Sequence, residues 1–150
     1  MKETLLTVLE NTRLADGIYR LRLAGDTSAI TAPGQFVNLK LSGFFLRRPI
    51  SVCDWENGEV TLIYKVLGHG TEAMTGMAVG TALDVLTGLG NGFDLSRSGE
   101  HPLLVGGGVG IPPLYGLAKR LTAQGKRVTA VLGFNRKSEF FLAEEFRALG

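Results

Sequence analysis

Leu103-Leu104-Val105-Gly106-Gly107-Gly108-Val109-Gly110-Ile111-Pro112-Pro113-Leu114 separates two kinds of sequence. Three apolar residues read as a buried strand, glycines fill four of the next five positions, and two prolines open a helix. Glycine can take positive φ and lets a ligand approach bare backbone with no β-carbon in the way. A proline in the first helical turn sacrifices nothing, because the N–H it lacks is one of those left unpaired there. The remaining free N–H groups and the positive end of the helix dipole face the turn, which makes it a candidate site for a nucleotide pyrophosphate. The plain alternative is a strand-to-helix turn whose glycines serve packing.

Downstream the periodicity is helical. Leu114, Leu117, Ala118 and Leu121 share one face, with Lys119, Arg120 and Gln124 opposite and Gly125 as a stop. Val128 to Leu132 reads as a second buried strand, and Ser138 as the cap of a last helix with Leu142, Phe146 and Leu149 on one face. Strand, helix, strand, helix is half of a doubly wound domain, and about 50 residues fall short of the ~100 typical of an independent one. The expectation is a chain cut within that domain. Val128, Ala130 and Val131 would then face missing neighbours, and an unpaired edge would favour self-association.

Upstream the period is two. Thr4 to Leu9 starts one strand, and Ile18 to Leu23 and Gln35 to Leu41 alternate apolar with polar residues, separated by turn signals such as Ala15-Asp16-Gly17 and Pro33-Gly34. Glu56-Asn57-Gly58 marks a hairpin into Glu59 to Tyr64. About six short strands with few helices predict a small closed antiparallel β-barrel. The polar stretch Ser96 to Glu100 marks a boundary, giving a barrel domain over 1–98 and an incomplete α/β Rossmann-like domain over 99–150.

Composition excludes several classes. Sixteen Lys and Arg against fourteen Asp and Glu leave a net charge of +2, too weak and scattered to predict a nucleic-acid or anionic-membrane partner. No apolar run reaches the ~20 residues of a membrane span, and the start lacks the apolar core of a signal peptide, so a cytoplasmic location is expected. One cysteine, Cys53, excludes an internal disulfide and any cysteine-held metal cluster on this chain alone; it reads as a small buried hydrophobe. His69 and His101 lie far apart with no ligating motif beside them, so no metal site is predicted.

Two further stretches carry chemistry. In Arg47-Arg48-Pro49-Ile50-Ser51 an arginine at a strand mouth offers a fork of donors to a phosphate, and Ser51 offers a hydroxyl to a ring heteroatom. In Ile63-Tyr64-Lys65-Val66-Leu67-Gly68-His69-Gly70-Thr71 a strand runs into glycines and a helix start, with a short helix expected over Glu72 to Met77 and its N-terminus as a second anion site. A surface arginine is the bland alternative for Arg48.

The spacing Gly108-x-Gly110-x-x-Pro113 departs from the usual G-x-G-x-x-G fingerprint by a proline in third place. With Arg48-x-x-Ser51 and Gly68-x-Gly70-Thr71 it resembles the motifs of the ferredoxin reductase-like flavoproteins. The wording Arg-Arg-Pro-Ile-Ser, Ile-Tyr-Lys-Val, Leu89-Gly90-Asn91-Gly92-Phe93 and Gly-Gly-Gly-Val-Gly-Ile-Pro-Pro-Leu is similar to that of the electron-transfer subunits of type B dihydroorotate dehydrogenases. The resemblance runs along the whole chain in one register. It implies FAD held by Arg48, Pro49, Ile50, Ser51, Ile63, Tyr64, Lys65, Gly70 and Thr71, with Ser51 near the hydride-accepting N5. It implies NAD(H) held by Gly107, Gly108, Val109, Gly110 and Pro113.

The activity implied is hydride relay between NAD(H) and FAD in dihydroorotate oxidation for pyrimidine biosynthesis, with a flavin-containing catalytic dehydrogenase subunit as partner. No protein acid or base is required, so no catalytic residue is named; Tyr64 is expected to pack against or hydrogen-bond the flavin. Ile50 stands where many superfamily members have a tyrosine. The [2Fe–2S] cluster of the family needs four cysteines and is expected only in the missing C-terminal part. A stand-alone NAD(P)H:flavin reductase and a non-enzymatic nucleotide-binding or assembly fragment are the other classes open to such a sequence. Arg136 and Ser138 leave NADPH possible, while the resemblance favours NADH.

Overall fold

A computed structural model describes residues 1–150. Six antiparallel strands close into a barrel: β1 (Lys2–Ala15), β2 (Ile18–Ala24), β3 (Phe36–Leu39), β4 (Arg48–Glu56), β5 (Glu59–Lys65) and β6 (Ala82–Leu89), joined in the order β1-β2-β5-β4-β3-β6. Alternation decides the inside. Leu6, Val8, Leu21, Leu23, Val37, Leu39, Leu62 and Val85 are fully buried in one core cluster, while Leu5, next to Leu6, is 69% exposed. The β4–β5 hairpin turns at Asn57 and Gly58, both at positive φ (53° and 77°), as a two-residue hairpin of this twist requires.

A short helix α1 (His69–Met74) follows β5 and sinks Met74 into the barrel core. The second part contains β7 (Leu103–Gly107), α2 (Pro112–Ala123), β8 (Thr129–Gly133) and α3 (Ala143–Arg147). β7 and β8 pair in parallel, and α2 covers one face of the pair through Leu114, Leu117, Ala118 and Leu121 packed on Leu104. The other face is open, with Leu103 62%, Val105 68% and Val131 51% exposed. No helix is long and apolar enough to cross a membrane.

The two parts pack through an apolar seam. Ile18, Cys53 and Ile63 from the barrel meet Ile111, Phe141 and Leu142 in one buried cluster. At its edge the Asp54 carboxylate accepts from Lys119 Nζ at 2.7 Å and Arg120 Nη1 at 3.3 Å, and the Arg120 guanidinium lies 3.5 Å from the Trp55 ring centroid.

Local expectations shift in three places. The helix after β5 begins at His69 rather than Glu72, because Thr71 completes its first turn instead of preceding it. Ser138 does not cap the last helix; it lies in a 3-10 turn (Lys137–Glu139), and α3 starts after Leu142, whose backbone is left-handed (φ 63°). Val128 does not face empty space but packs against the α2 cluster and Ala130 is half-buried, so the uncovered large apolar residue of β8 is Val131.

Candidate functional site

Strand register opens the barrel wall where the motifs lie. The first half of β4, Arg48 to Ser51, pairs with β3, whereas its second half pairs with β5, and that pairing stops at Val52 and Leu62. Beyond Leu62, β5 continues through Ile63, Tyr64 and Lys65 paired with β2. The two motif stretches therefore face each other across a split in the sheet.

At the mouth of the split the neighbouring arginines divide their roles. Arg47 is neutralised, 2.9 Å from both Glu3 and Asp84. Arg48 has no acidic partner: its Nη1 donates to the Leu46 carbonyl at 2.5 Å, and its guanidinium lies 5.0 Å from the Phe44 ring centroid. Its other neighbour is Gly70, where a β-carbon would stand 2.1 Å from Arg48 Nε. Only glycine admits the guanidinium to that place. Thr71 ties the loop down: its hydroxyl oxygen accepts from the Leu67 N–H at 2.9 Å and the Gly68 N–H at 3.2 Å, and it donates to the Gly68 carbonyl at 3.1 Å. With only six residues, α1 has too little aligned backbone to count as the second anion site expected of it; the positive charge of this cradle is that of Arg48.

A cleft of about 600 Å³ joins the barrel to the glycine turn, with Lys65 and Leu67 on one wall and Gly107, Gly108 and Val109 on the other. Phe134 and Phe141 close its side, their centroids 5.4 Å apart, and Lys65 Nζ bridges to Glu139 Oε1 at 3.5 Å. Gly108 opens a 3-10 turn at φ 52°, followed by α2 with Pro112 and Pro113 in its first turn and no side chain capping it. A β-carbon at Gly110 would meet nothing within 4 Å, so this position is bare for a ligand, whereas one at Gly106 would strike Leu114 at 2.6 Å. Gly106 serves packing. A second cavity of about 570 Å³ starts at Phe44 and runs along Ala73 and Met77.

The residues anticipated for flavin contact separate by strand parity. Ile50 packs on the barrel core, while Pro49 and Ser51 face outward opposite Asn38 and Phe36. Lys65 reaches the cleft, but Ile63 is 3% exposed and locked in the seam. Tyr64 corrects the reading of it as a flavin-facing side chain. It is 1% exposed inside the barrel, stacked on Tyr19 at 5.6 Å, and its hydroxyl donates to Asn11 Oδ1 at 2.9 Å. Burial pushes its phenol well above the ordinary value. Only the backbone of Ile63 and Tyr64 is open to a cofactor role. Sequence reasoning missed Phe134, Glu139 and Phe141; a phenylalanine-rich stretch just after the second parallel strand was the available signal.

No protein-family model matches the chain. It is 46% identical to the dihydroorotate dehydrogenase B (NAD(+)) electron transfer subunit of Bacillus pumilus, an alignment taking in 100% of this chain and 61% of that protein. The corresponding subunit of Fusobacterium nucleatum is 42% identical over 96% of this chain and 59% of its own length. The chain thus spans less than two thirds of these relatives. Among solved structures, an NADH-dependent reduced ferredoxin-NADP oxidoreductase superposes with a TM-score of 0.86 at 31% identity, covering 97% of this chain and 54% of that one. An Amycolatopsis cytochrome P450 reductase superposes at 0.88 with 24% identity, over 99% and 48% of the two chains. By fold this chain is a ferredoxin reductase-like protein, and by sequence it is a relative, along its whole length, of the electron transfer subunits of dihydroorotate dehydrogenase B.

Proposed function

We propose that the chain binds FAD on the barrel and NAD(H) on the Gly107–Gly110 turn, and that it works in the cytoplasm as the electron-transfer subunit of a dihydroorotate-oxidising enzyme of pyrimidine biosynthesis. On this reading residues 1–98 form the flavin domain and 99–150 contribute part of the nucleotide domain. The observation that carries it is the unpaired Arg48 guanidinium seated against Gly70, a cationic cradle that a single β-carbon would fill. A diphosphate suits that cradle because it supplies the missing counter-charge in the fork geometry of a guanidinium. The apolar cavity at Phe44 offers room for the adenosine end, and Ser51 a hydroxyl to the ring.

Bound there, FAD supplies hydride exchange with NAD(H) and single-electron exchange with an iron–sulfur centre. The chain's own residues orient and enclose. Arg48 holds phosphate, the bare Gly108–Gly110 backbone admits a second pyrophosphate, and Phe134 and Phe141 keep water from the side of the cleft. Lys65, tied to Glu139, puts a charged pair on the cleft lining. No side chain in the cleft needs to move a proton. One cysteine leaves the iron–sulfur centre to be held outside these residues. The partner this implies is a flavin-containing catalytic subunit. The open face of Leu103, Val105 and Val131 supports, in addition, association of this chain with a second copy.

The test is spectroscopic. The purified chain, incubated with FAD and desalted, is expected to retain a flavin absorption spectrum, and anaerobic NADH is expected to bleach it. Retention of FMN in preference to FAD, or of neither, would overturn the assignment.

A further inference from the structure

The polar chain that ends on α1 runs through Tyr64. Asn11, on β1, accepts from the Tyr64 hydroxyl at 2.9 Å and turns its amide group outward to donate to the carbonyls of Met74 at 2.7 Å and Met77 at 3.2 Å. Those carbonyls belong to the C-terminal end of α1 and the turn that follows it. A six-residue helix cannot hold itself, since nucleation is costly and so few bonds return that cost. It is held from three sides: Met74 in the core, Asn11 at its end, and Thr71 within the preceding loop.

The Met74 and Met77 carbonyls, which only accept, determine which way the Asn11 amide points, and the Tyr64 hydroxyl satisfies the oxygen that this leaves on the barrel side. Nδ2 therefore faces α1 and Oδ1 faces Tyr64, whose hydroxyl donates to it and holds the side chain in place. A flipped amide would set oxygen against two carbonyl oxygens. Gly70 sits at the other end of the same helix, against Arg48. Gly70 and Met74 lie only four residues apart on this helix, so loosening at Met74 reaches the Arg48 cradle.

We propose that Tyr64 and Asn11 are positioning residues for the phosphate cradle: Tyr64 satisfies Asn11 Oδ1 and holds that side chain in place, Asn11 anchors α1, and α1 seats Gly70 against Arg48. This rests on the flavin reading above. It assigns Tyr64 to the diphosphate end of the ligand through the helix, with its own ring never touching the isoalloxazine.

The test separates the two ends of the ligand. Tyr64→Phe keeps the ring and its stacking on Tyr19 while removing the donor. Asn11→Asp keeps the acceptor for Tyr64 but replaces the donors to α1 by oxygen. FAD affinity is expected to fall about ten-fold in Tyr64→Phe and further in Asn11→Asp, with riboflavin affinity and the bound-flavin spectrum unchanged. Combined with Arg48→Ala, Tyr64→Phe should add little. Parallel loss of FAD and riboflavin, a shifted flavin spectrum, or full FAD affinity in Tyr64→Phe would overturn the proposal. Amide exchange of the ligand-free protein provides the independent readout: Glu72 and Thr75 should exchange faster in Tyr64→Phe. If the wild-type chain binds no FAD, the flavin reading fails by itself. The exchange rates then decide the helix anchor, faster exchange upholding it and unchanged exchange refuting it.

Discussion

Gly116 of α2 lies directly on the backbone carbonyl of Cys53 in β4: a β-carbon there would stand 2.6 Å from that oxygen. The contact is backbone against backbone, so neither partner can yield by changing rotamer. It fixes how closely the α/β part can approach the barrel, and so the width of the cleft between Lys65 and the glycine turn.

Gly116→Ala should therefore open the seam without unfolding the barrel. An overpacked core contact of this kind costs about 1–3 kcal/mol. The Cys53 thiol, now 1% exposed, should become reactive to iodoacetamide in the variant while FAD affinity stays at the wild-type value. Equal alkylation rates in the two proteins would show that Gly116 does not hold the seam.

The same thiol makes stability depend on alkaline pH. Burial, then the Asp54 and Glu145 charges, push its pKa above the ordinary 9.0, so the folded chain keeps a proton that the unfolded chain releases. Its contribution is fully present below pH 9 and declines as pH rises beyond it, by up to about 1.4 kcal/mol per pH unit. Urea midpoints at pH 8 and pH 10 should differ more for the wild type than for Cys53→Ala. Identical differences would remove Cys53 from the account.

Arg48→Ala should weaken FAD binding by about one to two decades, the loss of a charge-assisted contact worth about 1.5–3 kcal/mol. Arg13→Ala is the control, because Arg13 is 59% exposed, pairs with Asp16 and lines neither cavity. Gly70→Ala should reproduce most of the Arg48→Ala effect by expelling the guanidinium, and the double variant should be no worse than Arg48→Ala. Additive losses would mean that the two residues serve separate sites.

Two glycines of the turn should respond oppositely to valine. At Gly110 the side chain meets open space, so Gly110→Val is expected to leave folding and flavin content intact and abolish NADH binding. Gly106→Val drives into Leu114 and should lower thermal stability whether or not nucleotide is present. Calorimetric NADH titration together with melting curves of both variants decides between a ligand role and a packing role at each position.

Alternation along Ile18 to Leu23 and Gln35 to Leu41, the Asn57-Gly58 turn and the Leu103 to Pro113 stretch were enough to predict a barrel, a hairpin, and a strand–turn–helix with its prolines in the first turn. Those features are local: each depends on residues within a few positions of one another, through side-chain parity, φ preference or a missing N–H. Period two says that neighbours in a strand face opposite ways; it does not say which set faces in. Ile63, Tyr64 and Lys65 were therefore equal candidates until barrel closure placed Tyr64 in the core, Ile63 in the seam and Lys65 in the cleft. The same holds for the two arginines, since nothing in Arg47-Arg48 marks the first as paired with Glu3 and Asp84 and the second as free. Contacts such as Asn11 with Tyr64, Arg48 with Gly70 and Gly116 with Cys53 join residues far apart in the chain, and only the closed barrel and the packed seam could decide them.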